Sequence, residues 1–417
     1  MSVLMALKDY RRTIYFLVLG LMLYSIVSMF LSVKAAKVSF YWAFYLSVLG
    51  IGYDFQRLQR HYWWVLAPLL LLGASDLIWF GWHYIGNPAW DEFNAYLATG
   101  KRLLLTAVIG YYLFSVMHRY AAPTRQAVRY ALVAAFLLAT AVGFWQDAHG
   151  VDRIDFFLGR ATNAAYDYSI LCAALIFLLL YEAVNRLTLV ASLLIFVFSY
   201  YIIFQTGTRN VMATYPLIIL FVGAIKLRHV GWKPLLMVLV SIAVVAALSW
   251  QTVIKPKMDE TISEFQRFEN TNGNQQGSLT SRLAMWRIGV NLIADHPLGN
   301  SLEQRWQYAE NYVKTRHADQ SALDYVNVHL HNELIEVGSL MGVPGAMVLL
   351  FFYFSLLFYA RVQHNPPLFA AVLGLMICGL TDVIFASREQ TIMLTLLIIA
   401  LVAWHQPPSR TPAPSRH

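Results

Sequence analysis

Long apolar runs recur along the chain, separated by short polar connections, and one polar stretch of a different kind interrupts them. A helix needs about 20 apolar residues to cross the hydrocarbon core of a bilayer. By that measure the pattern predicts twelve spans. They lie near residues 13–33, 38–54, 62–82, 102–117, 127–146, 163–184, 187–206, 211–227, 234–254, 332–360, 367–386 and 390–405. The second, fourth and last are short, and the tenth is long enough to tilt or to begin as an interfacial segment. Residues 255–330 break the rhythm. They open with polar sequence, pass through the turn-rich "NTNGNQQG", and resume a helical apolar pattern at Leu283, Trp286, Ile288 and Leu292. A structureless loop of that length is uncommon, so a small, partly helical cap over one end of the bundle is expected. The predicted organisation is nine spans in 1–254, a cap in 255–330, three spans in 331–406 and a disordered tail in 407–417.

Composition sharpens this into an all-α polytopic membrane protein. The chain is 58% hydrophobic and only 13% charged, where a soluble protein carries about a quarter of its residues charged. Its net charge of +8 raises nucleic acid as a partner. The basic residues stand singly between apolar runs, however, and form no stripe, so they read as topology-setting charges with membrane lipids as the surroundings. Lys8, Arg11, Arg12, Arg119, Arg125, Arg129, Lys226, Arg228 and Lys233 fall on one side and outnumber those in the short loops opposite. The bias predicts both termini in the cytoplasm and residues 255–330 outside. The basic N-terminus leads into a long span without a small-residue cleavage site, which reads as a retained first helix. Cys172 and Cys378 both lie inside apolar runs, so neither a disulfide framework nor a CxxC metal site is expected.

Ionisable residues at span ends are costly and are functional candidates by default. Five separate segments bring such groups to the predicted outer face. "FQTGTRN" carries Arg209, "GSLTSRLAMW" carries Arg282, and "HLHNELIEVG" carries His331 and Asn332. "GLTDVIFASREQ" adds Asp382 and Arg388, and "FFLGRATNAAYDYS" adds Arg160 and Asn163. Each has a plainer reading. Arginines at span ends snorkel to headgroups, Arg282 fits a solvated helix face, and Asp382 fits an ion pair with Arg388. His329 and His331 form an HxH, a spacing that zinc sites use, but the third ligand must come from scattered carboxylates. Asp76, inside the third span, and Asp91 and Glu92 in the next loop fit packing or ligand roles. Gly338 and Gly342 form a GxxxG that suits close helix approach, and Pro344 before Gly345 suggests a kink.

His331–Asn332, nine residues, then Gly342-Val-Pro-Gly345 resembles the H[NSQ]-x9-GxxG signature of the O-antigen ligase and polymerase superfamily. "TGTRN" is similar to the family's small-residue-plus-Arg motif. "SRLAMWRIGVNLIADHPLGN" is similar to its Ser-Arg…Trp…HPxxG stretch, with Asn300-Ser301 after Gly299 as a departure in the turn. The motifs span about residues 200–390.

The resemblance implies a bacterial inner-membrane glycosyltransferase with a periplasmic active site. Its donor would be an undecaprenyl-pyrophosphate-linked O-antigen glycan, and its acceptor a sugar hydroxyl of lipid A-core. Such chemistry needs cations for the departing pyrophosphate, and the guanidinium fork matches phosphate oxygens. It also needs a base for the incoming hydroxyl, which a histidine supplies near neutrality. Arg209 and Arg282 are therefore expected to clamp pyrophosphate and His331 to deprotonate the acceptor, in one inverting displacement. Asn332, Arg160, Arg388 and Asp382 are expected to bind substrate. No DxD-type site is visible, so no cofactor or divalent metal is expected. A single large outer loop favours the ligase branch, with polymerase as the alternative. A transporter would carry its charges at the midplane of two repeated halves, not at one face.

Overall fold

The computed structural model describes residues 2–54, 63–86, 94–227 and 250–405, with a few single positions between 236 and 247. Apolar content this high leaves the backbone to satisfy its own polar groups, and in lipid the helix does so within one segment. The described chain accordingly forms helices and no strand. In order they are α1 (Ser2–Ser28), α2 (Val33–Asp54), α3 (Trp63–Tyr84), α4 (Asn94–Val116), α5 (Ala121–Ala148), α6 (Ala161–Glu182) and α7 (Arg186–Gln205). After them come α8 (Arg209–Leu227), α9 (Lys255–Thr271), α10 (Ser278–Asp295), α11 (Leu302–Arg316), α12 (Glu333–Val362), α13 (Pro366–Gly379) and α14 (Arg388–Trp404). Among the described residues, α1, α2, α3, α5, α6, α7, α8 and α12 are long and apolar enough to cross a membrane. The ninth expected span, Asp91, Glu92 and the tail 407–417 lie wholly or largely outside the described residues.

α6 runs through the middle of the bundle, and α14 is buried from Gln390 to Trp404. Several polar side chains inside the bundle pair with one another. Thr140 and Tyr168 hydroxyls meet at 2.6 Å, Ser199 and Tyr215 at 2.7 Å, and Thr106 and Thr395 at 3.0 Å. α3 and α4 cross where both lack a side chain. A Cβ on Gly100 would stand 2.8 Å from the Gly73 carbonyl oxygen and from Cβ of the buried Asp76.

The cap has a core of its own, built from Ala284, Met285, Ile288, Ala309, Ala322, Val326 and Leu330. Of the apolar positions expected to face inward on α10, Ile288 and Leu292 are fully buried, whereas Leu283 and Trp286 are half-buried. The buried stripe is displaced by about one residue because α10 packs on both α12 and the loop before it.

Two features of the last third depart from the sequence pattern. The span expected at 367–386 is helical only to Gly379, and residues 380–387 turn back toward the bundle. α12 is broken at Gly342, whose φ of 70° and ψ of −170° are not helical. The turn 297–300 plugs this break. Val343 N–H donates to the Pro297 carbonyl at 2.8 Å, and Asn300 N–H to the Leu340 carbonyl at 2.8 Å. The Asn300 side chain donates to the Ser339 carbonyl at 3.1 Å, and Trp79 Nε1 donates to the Asn300 carbonyl at 2.9 Å. Gly299 (φ 98°) faces Gly342 so closely that a Cβ on either would stand under 3 Å from the other strand's backbone. The glycines of α12 thus serve the cap: Gly338 lies against Ile293 of α10, and Gly342 admits the 297–300 turn.

Candidate active site

His331 sits in the two residues between the cap and α12, with φ at 49°. Its backbone is held from two sides. Trp286 Nε1 donates to the Leu330 carbonyl at 3.0 Å, and Leu330 N–H donates to a Glu336 carboxylate oxygen at 2.7 Å. Glu336 is fully buried and also receives the Arg305 guanidinium at 2.8 Å and the Tyr96 hydroxyl. Asn332 closes the junction as N-cap of α12, accepting from Ile335 N–H at 3.1 Å and donating to the Leu380 carbonyl at 2.8 Å. An N-cap of this kind contributes about 1 kcal/mol, and here it also ties α12 to the loop after α13.

That loop delivers the histidine's partner. His331 Nδ1 lies 3.1 Å from Asp382 Oδ1, which also accepts the Val383 N–H at 2.9 Å. Buried Glu333 fixes the same loop from beneath by accepting Phe385 N–H at 2.7 Å and the Tyr353 hydroxyl. A carboxylate on Nδ1 sets the imidazole tautomer, leaves Nε2 as the free nitrogen and stabilises the imidazolium form.

The dyad opens into a cavity of about 810 Å³ whose walls include Arg153, Arg160, Asn163, Arg282, His329, His331 and Asp382. Three guanidinium groups from two segments, the α5–α6 connection and α10, therefore face one space. Arg153 is held by its Nε donating to the Thr206 carbonyl at 2.7 Å. Arg160 precedes the first turn of α6, and Arg282 projects from the first turn of α10. Among the described residues neither makes an ion pair. The His329 ring packs edge-on against His331 with centroids 4.1 Å apart. Burial, then the neighbouring His331, holds its pKa below the usual histidine value.

Not every expected residue reaches this cavity. Arg209, at the start of α8, pairs with Glu260 of α9 at 2.5 Å and donates to Thr261 at 3.2 Å, and it does not line the wall. Its neighbour Asn210 bonds Thr381, next to Asp382, so α8 still touches the dyad's loop. Arg388 donates to Asn94 instead of pairing with Asp382, and it too stands outside the lining. Asn332 is committed to capping. Arg153, Glu333 and Glu336 were missed: the carboxylates resemble helix-start acids, and Arg153 lies in a loop without a motif. His329, His331 and Asp382 bring three donor atoms within 4.8 Å of one another, so they are the residues that could hold a metal ion among those described.

Residues 194–350, from α7 through the break in α12, match the O-antigen ligase family. The chain is also similar to the O-antigen ligase of Escherichia coli (strain K12), with 29% identity over 350 residues, covering 81% of each protein.

Proposed function

From the match of residues 194–350 to the O-antigen ligase family and the 29% identity to a curated O-antigen ligase, we propose that the chain transfers a glycan from undecaprenyl pyrophosphate to a sugar hydroxyl of lipid A-core, at the periplasmic face of a bacterial inner membrane. The observation that carries the reading is the His331–Asp382 pair opening into a cavity with three guanidinium groups on its walls.

The acceptor hydroxyl approaches Nε2 of His331, which takes its proton as the oxygen attacks the anomeric carbon. Asp382 supports the imidazolium that results. On the opposite side the glycosidic bond to phosphate breaks, and the electron pair leaves on the pyrophosphate. Negative charge grows there, and a positioned cationic donor lowers such a barrier by about 3–4 kcal/mol. Arg282 is assigned to that anion, with Arg160 and Arg153 beside it. Arg209 acts on it only after release from Glu260, an exchange that an arriving pyrophosphate would favour. One displacement inverts the anomeric centre.

The reaction needs no metal in this scheme, and a metal on His329, His331 and Asp382 would occupy the base. Transfer by the purified protein from a lipid-linked glycan to lipid A-core is therefore expected to be unchanged by EDTA. A deletion strain is expected to lose its ligated lipopolysaccharide ladder while lipid-linked polymer accumulates. A ladder reduced to one repeat unit on the core would instead mark a polymerase, and EDTA-sensitive transfer would overturn the base assignment.

A further inference from the structure

The end of the bundle away from the cavity carries a second pocket, of about 360 Å³. α6 and α12 begin at the cavity and end here, whereas α13 begins here and ends near Asp382. The thirty residues of α12, rising about 1.5 Å each where helical and broken at Gly342, set the two apart by at most about 45 Å. Lys226 at the end of α8, and Arg361 and His364 at the α12–α13 turn, line the pocket together with Val222, Ile225 and Phe369. Among the described residues no carboxylate lines it. Lys226 Nζ stands 4.7 Å from the centroid of the Tyr181 ring, which holds the ammonium at the pocket's edge. The first turn of α13, through Pro366 and Phe369, borders the same space.

Basic residues in the last turn of a helix ordinarily complement its dipole, and Lys226 and Arg361 both occupy that position. That explains each cation alone. It does not explain a cavity between them, walled on one side by charge and on the other by apolar side chains. The apolar wall continues onto the exposed side chains of Ile225, Phe221 and Phe358.

We propose that this pocket binds an anionic glycerophospholipid from the leaflet opposite the cavity. Its phosphate lies among Lys226, Arg361 and His364, and an acyl chain runs along Val222, Ile225 and Phe369. Basic pockets between helices at a membrane surface bind anionic headgroups by this combination of charge and apolar contact. The proposal is independent of the chemistry assigned to the cavity.

Native mass spectrometry of the full-length protein, released from equal mixtures of dioleoyl phosphatidylglycerol and dioleoyl phosphatidylcholine, tests it. The expected result is one retained phosphatidylglycerol in about tenfold excess over phosphatidylcholine. K226Q/R361Q should lose that excess, and R361Q alone, which suffices if the double variant does not fold, should lose about threefold. R186Q removes an exposed charge at the same end of the bundle and should keep the full excess. Equal retention of the two lipids by the wild type, retention unchanged in R361Q, or an equal loss in R186Q would overturn the proposal. So would glycerol 1-phosphate binding at Lys226 and Arg361 with no lipid retained, because the ligand would then be a soluble phosphate.

Discussion

At the scale of single residues, the site depends on a histidine that the sequence marks and an aspartate that it marks without its partner. His331 stands out because a titratable group precedes an apolar run and a GxxG. Asp382 is 51 positions away, and on a helix surface its natural partner was Arg388. The chain leaves α13 at Gly379, however, which swings Asp382 toward the imidazole and leaves Arg388 to Asn94. If Asp382 positions and supports the base, Asp382→Asn should lower kcat by about 10²–10⁴-fold, the range carried by a general base in enzymes. Its KM should stay near the wild-type value, because the carboxylate touches His331 and not the substrate. A change confined to KM in steady-state transfer assays would assign Asp382 to substrate binding instead. Arg209 illustrates the limit of motif reading: its place at a span end was legible, but its pairing with Glu260 depends on how α9 folds over α8.

Among the elements, apolar periodicity located most of the helices, because a span must be apolar over its whole length. It could not locate the break in α12, because Gly342 lies within an uninterrupted apolar run. Only the 297–300 turn, more than forty residues earlier, gives its positive φ a purpose. Gly342→Ala should therefore undock the cap from α12. A positive φ with ψ near 180°, a region essentially reserved for glycine, alone costs a side chain about 1–3 kcal/mol, and the added Cβ would stand 2.4 Å from the Pro297 carbonyl oxygen. Thermal unfolding in detergent should show a fall of several degrees, and transfer should fall with it. An unchanged midpoint would mean that the turn is not anchored there.

The cap also carries a pH dependence. Burial raises the Asp319 carboxyl to about 6, against the opposing effect of Arg287 at 3.3 Å. The folded cap therefore holds this proton after the unfolded chain has released it near 3.8. The stabilisation is complete below about pH 4 and is lost as pH rises to about 6. Hydrogen exchange of α10 and its neighbours should show Asp319→Asn flattening the slope in that window. The same slope in the variant would assign it to another group.

For the whole molecule, the sequence conveyed the all-α membrane class well. A membrane leaves a chain few ways to satisfy its backbone, and composition alone selects the helical one. The meeting of distant loops at one cavity is a property of packing, and spacing along the chain does not encode it. Family motifs located two parts of that meeting, His331 and Arg282, while Arg153, Glu333 and Glu336 emerged only from the fold. On this proposal one end of the bundle carries acid–base chemistry on a lipid-linked glycan, the opposite end is anchored by lipid, and the free nitrogen of His331 takes the acceptor's proton. The most direct measurement is single-turnover glycan transfer by purified His331→Ala, with folding checked by thermal unfolding and donor binding checked alongside. Transfer reduced by at least about 10²-fold, with folding and donor binding intact, is the predicted result; transfer near the wild-type rate would contradict it.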